Sequence, residues 1–68
     1  MFANLLGQKA VRHLSDADMA HIIGVSRNTY MTKVRTGKFT PEECKTLCEY
    51  FNKPFDYLFA EDGEFYNP

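Results

Sequence analysis

Between residues 2 and 59 the apolar side chains recur at intervals of three and four, and glycine, asparagine or a polar pair closes each run. This pattern predicts a succession of short helices. Residues 2–13, with Leu14 just beyond them, set Phe2, Leu5, Leu6, Ala10 and Leu14 in a broken helical stripe with Lys9 and Arg12 outside it. Gly7 weakens that helix by about 1 kcal/mol relative to Ala. His13 falls at its end, where the helix dipole favours a histidine. Ser15 opens the second helix: its hydroxyl can accept from first-turn amides, and Asp18 three residues on approximates a capping box. Met19, Ala20 and Ile23 share a face of it. Gly24 can take the positive φ that ends the helix, Val25 plugs the turn into the core, and Ser26 caps the third helix.

The third helix, Arg27–Thr36, has only Tyr30 and Val34 as an obvious buried pair. Arg27, Asn28, Met31, Thr32, Lys33 and Arg35 are left to face outward, and a helix that buries so little displays the rest. Residues 36–39 form a loop that Phe39 anchors to the core. Thr40-Pro41-Glu42-Glu43 is the strongest helix start in the chain, with a threonine cap, a proline in the first turn and Glu43 to close the capping box. The fourth helix runs to about Phe51 with Cys44, Leu47, Cys48 and Phe51 as its buried stripe. Asn52-Lys53-Pro54 breaks it, and residues 55–59 form a short fifth helix. The expected fold is all-α, a compact bundle of five short helices spanning residues 1–59, with an acidic, aromatic tail at 60–68.

Leu14-Ser15, Met19-Ala20, Gly24-Val25-Ser26-Arg27 and Thr29, followed by Gly37 and Pro41, resemble the lambda-repressor-like, Cro-type DNA-binding domains of phage and bacterial transcription regulators. The resemblance covers about residues 5–59 and rests most on Ala20, Gly24, Val25 and Ser26. It implies that helices two and three form a helix-turn-helix whose second helix enters the major groove. Asn28 and Thr32, one turn apart, then face base edges with Arg27 and Met31 beside them, Asn28 pairing with adenine and Met31 or the Thr32 methyl touching thymine methyls. Ser26, Thr29, Lys33, Arg35 and Lys38 hold phosphates. The chain departs from the family at two places: Asp16 stands where many members carry a phosphate-contacting glutamine, and Lys33 where many carry an aliphatic residue.

The net charge of −1 does not look like a nucleic-acid binder, but it conceals a division. Through Lys38, six basic residues oppose Asp16 and Asp18, a balance of +4; from Phe39 onward, Lys45 and Lys53 oppose seven carboxylates, a balance of −5. The positive half carries the third helix. With 68 residues the chain suits one domain, too small to hold a substrate cavity and a core together. Nothing in it pairs a nucleophile with a base or cradles a phosphate with glycines, so no catalytic residue, cofactor or enzyme activity is expected. Cys44 and Cys48 lie one turn apart on one helix face, poor geometry for a disulfide and without a second ligand pair for zinc; reduced structural thiols and no metal are expected. No apolar run approaches the roughly 20 residues of a membrane span. Met1 is not followed by a secretory leader, which points to the cytoplasm. Read as complete, the chain has no effector domain. The expected partners are double-stranded DNA and a second copy, joined through Tyr57, Phe59, Phe65 and Tyr66, with no membrane and no small-molecule substrate. The competing expectation is a protein-binding module on the same fold, of antirepressor or antitoxin type, whose DNA surface has been lost.

Overall fold

Residues 2–61 are described by a computed structural model, and five helices carry them: α1 (Ala3–Val11), α2 (Asp16–Ile23), α3 (Arg27–Thr36), α4 (Pro41–Phe51) and α5 (Phe55–Leu58). No strand occurs among the described residues, so the fold is all-α. The starts follow side-chain chemistry. Ser15 Oγ accepts from the Asp18 amide at 3.0 Å while Asp18 Oδ2 accepts from the Ser15 amide at 2.9 Å, a complete capping box. These bonds, the backbone one foremost, hold the Asp18 carboxyl below its ordinary value. Thr40 and Glu43 repeat the arrangement at the head of α4, with Pro41 in its first turn.

The stops of α1 to α4 share one device. A left-handed residue comes after the helix, and the next amide reaches back to a carbonyl of the last turn. Gly24 at φ 74° leads to Val25 N–H donating to Ala20 O at 3.0 Å, and Gly37 at φ 75° to Lys38 N–H donating to Lys33 O at 3.2 Å. Asn52 at φ 54° does the same for Lys53 and Cys48 O at 3.1 Å. At the end of α1 the left-handed residue is His13, at φ 57°, with Leu14 N–H donating to Lys9 O at 3.0 Å. His13 therefore closes the helix through its backbone, just past the end of α1 at Val11. A side chain in that conformation costs about 1 kcal/mol.

Leu5, Met19, Tyr30, Leu47, Phe51 and Leu58 are wholly buried and draw on every helix. Phe2, Phe39 and Phe59 close one end of the core as a cluster of rings with centroids 5.4–5.9 Å apart. Phe39 thus anchors the α3–α4 loop. Two ties fasten the first helical segment to α5 and α4: Asn4 Nδ2 donates to Tyr57 O at 2.8 Å, and Arg12 donates to the carbonyls of Tyr50 and Phe51, each at 3.3 Å. The Arg12 guanidinium also lies over both rings, at 5.5 and 5.1 Å, so a cation sits at the negative end of α4.

Several expectations need correction. Ala10 is exposed, because the stripe of α1 turns to solvent before the helix ends. Cys44 and Cys48 pack against the core but are only half-buried, flanking Leu47 and Phe51; burial pushes both thiols up. Phe59 belongs to the core, and Tyr57 is half-buried with Lys53 Nζ 5.8 Å from its ring centroid. Phe65 and Tyr66 lie outside the described residues. The large apolar side chains that do reach solvent are Val11, Met31, Tyr50 and Phe55. No helix among the described residues is long and apolar enough to cross a membrane.

Candidate nucleic-acid interface

α3 is held from one side. Tyr30 and Val34, 1% and 8% exposed, fix it to the core, and its start is set by Ser26 Oγ, which accepts from the Thr29 amide at 3.1 Å. The Ser26 hydroxyl donates in turn to Thr29 Oγ1 at 2.9 Å. Ser26 is thereby committed to the cap, whereas Thr29 keeps its own hydroxyl proton for an acceptor outside the helix. At 100° per residue, Thr32 points directly away from the buried pair, with Asn28 and Arg35 on one side of it and Thr29 and Thr36 on the other. Arg27, Asn28, Thr29, Met31, Thr32 and Arg35 are all exposed, as is Lys38 beyond the helix end. The face so formed is polar and basic, with Met31 as its apolar member.

Lys33 does not join that face. Its side chain is 18% exposed and its Nζ stands 3.0 Å from Glu43 Oε1, making a strut from α3 to α4. Position 33 lies on the α4 flank of the helix, so the long side chain finds a carboxylate before it finds solvent. Burial pushes the Glu43 carboxyl up, but the bond from the Thr40 amide and the Lys33 ammonium outweigh it and leave the group below its ordinary value.

On the opposite flank, Asp16 at the head of α2 lies 3.2 Å from Lys9 Nζ and 4.0 Å from Arg27. It joins α1 to the start of α3, and two cations offset its charge. Beside it runs a groove of about 500 Å³, mostly apolar, bordered by Leu6, Asp16, Asn28, Met31, Thr32 and Arg35. Tyr30 and Val34 form its base. The Tyr30 hydroxyl is buried with no hydrogen-bond partner among the described residues; burial, helped by the negative charge of Asp16, pushes it up to about 12.

No family model matches the chain, and no curated protein or solved structure matches it. A role for the protein must therefore come from the chemistry of these surfaces. Among the described residues, no three His, Cys, Asp or Glu come together to hold a metal ion. A second, smaller groove of about 320 Å³ is lined by Phe2, Phe39, Phe55 and Phe59 together with Gly37, Cys44 and Glu61. It offers mainly apolar contact, with one carboxylate in its lining. The α3 face is the surface that assembles several donors, acceptors and positive charges.

Sequence reasoning finds Arg27, Asn28, Met31, Thr32, Arg35 and Lys38 on this surface. It misses Leu6 and Asp16 as neighbours of α3, because that adjacency depends on how α1 packs and leaves no mark in helical periodicity.

Proposed function

We propose that this chain binds double-stranded DNA in a sequence-specific manner, as a transcription regulator of phage or bacterial type working in the cytoplasm. α2 and α3 act as a helix-turn-helix, and α3 lies in the major groove. One observation carries the reading: α3 buries only Tyr30 and Val34 and exposes Arg27, Asn28, Met31, Thr32 and Arg35 on one continuous surface. Asn28 and Thr32 meet base edges, with Arg27 and Met31 alongside. Thr29, Arg35 and Lys38 meet phosphates, and the Ser26 amide region borders them at the helix start. Lys33 supports the helix from behind through Glu43. Asp16 is compatible with a nearby backbone because Lys9 and Arg27 compensate it.

A domain this small reads few base pairs, so two copies related by a twofold axis bind successive major-groove turns about 34 Å apart. The exposed Phe55, stacked on Phe59 with centroids 5.3 Å apart, favours a second reading, a module that binds another protein through its acidic, aromatic half. Selection of binding sites from random duplexes separates the two. The DNA reading expects enrichment of a short, twofold-related sequence; recovery of no sequence above background would leave the protein-binding reading in its place.

A further inference from the structure

The groove beside α3 has a composition that its place on the DNA face does not require. Phosphate contact calls for cations and base edges for donors and acceptors, yet this trough is mostly apolar, with Leu6, Met31 and Val34 in its lining. Met31 is 42% exposed and Leu6 half-buried, so apolar surface meets solvent between them. Asn28 and Thr32 stand on the same border. The major-groove edge of a base pair carries one apolar feature, the C5-methyl group of a pyrimidine.

We infer that this groove reads a pyrimidine 5-methyl group, and that Leu6, outside the helix-turn-helix, is a specificity-determining residue. The inference rests on the DNA-binding reading of the α3 face. It assigns α1 a part in base selection: Leu6 and Met31 close on the methyl from two sides, while Asn28 and Thr32 engage the polar atoms beside it. Two bases present that methyl group. Thymine sets it next to the O4 acceptor, which the Asn28 amide can satisfy as donor. 5-Methylcytosine sets it next to an amino donor, for which Asp16 is the carboxylate bordering the groove. Because Lys9 and Arg27 already occupy Asp16, the arrangement favours thymine.

The test uses the full chain and a duplex recovered by site selection. Each thymine is replaced singly by deoxyuridine, which removes only the methyl group, and each cytosine singly by 5-methylcytosine. Loss of one buried methyl weakens binding about fourfold. Such a loss is expected at one thymine in each half-site, and it should disappear in Met31→Ala and in Leu6→Ala while preferences at other positions persist. Met31 lies outside the core, so Met31→Ala carries the test even if Leu6→Ala fails to fold by circular dichroism. A fourfold gain at one 5-methylcytosine, abolished by the same substitutions, would support the inference with methylcytosine as the base. Indifference to every methyl group, or a loss undiminished in Met31→Ala, would overturn it while leaving the DNA reading intact. If no duplex is selected at all, the DNA reading falls and this inference falls with it.

Discussion

α3 and α4 are consecutive helices of ten and eleven residues that each bury two side chains, and they differ in what they do with the others. α4 opens with a full capping box, buries Leu47 and Phe51 and half-buries Cys44 and Cys48 on the same face. α3 opens with a serine cap alone, buries two side chains and leans on α4 through the Lys33–Glu43 pair. Both helices anchor the fold, α3 through Tyr30 and Val34 and α4 through Leu47 and Phe51, and they differ in the rest: α4 adds two half-buried thiols, whereas the outward half of α3 contributes little to stability and is free to be specified by something else.

The comparison breaks first on Leu47. Leu47→Ala should cost about 2–5 kcal/mol in unfolding free energy, because the side chain is wholly buried and its loss leaves a cavity. Asn28→Ala and Thr32→Ala should stay within about 0.5 kcal/mol of the parent in the same denaturant titration. A large loss from either would mean that the α3 surface is part of the fold after all. In DNA binding the order reverses. Asn28→Ala should lose about 1–3 kcal/mol at one base pair, while Lys38→Ala should weaken all sequences alike and reduce the salt dependence by about one phosphate contact.

Smaller effects sharpen the contrast. Thr40→Ala removes the cap of α4 and should lower stability by about 1 kcal/mol, read as a shift in denaturation midpoint without a change in slope. The Lys33–Glu43 pair gives the smallest effect, about 1 kcal/mol or less. The folded Glu43 carboxyl lies below its ordinary value of 4.5, so its contribution is present above that pH and fades as the pH falls through the lower folded value. Glu43→Gln should flatten stability between pH 5 and 3, by about that amount, relative to the parent. An acid limb that is unchanged in this variant would show that the Glu43 carboxylate, bound to both Thr40 and Lys33, does not stabilise the fold.

Much of this architecture can be read from the residues because it is local. Ser15, Ser26 and Thr40 mark helix starts through their own hydroxyls, and Gly24, Gly37 and Asn52 mark stops because they tolerate a left-handed backbone. The stop at His13 is harder to read, since histidine takes a left-handed backbone less readily than glycine and the Leu14–Lys9 hydrogen bond that completes the motif is a backbone contact. The exposed part of α3 also emerges from helical spacing alone. Spacing does not contain the partner on the other side of a contact. Glu43 is legible as a cap for Thr40, but its second role, holding Lys33, needs α3 and α4 side by side. The Lys9–Asp16–Arg27 link and the Leu6 wall of the groove are tertiary in the same sense. Ala10 goes astray for a simpler reason: a methyl group gains so little from burial that its place in a stripe says little about which way it faces.

Whether the outward face of α3 reads base sequence is decided by the base-preference profile of the parent chain set against that of Asn28→Ala. Both profiles are to be taken by site selection from random duplexes at one salt concentration. Preference should relax at a single position in each half-site while the rest of the profile is retained. A profile that keeps every preference, or that weakens equally at all positions, would contradict base reading by α3.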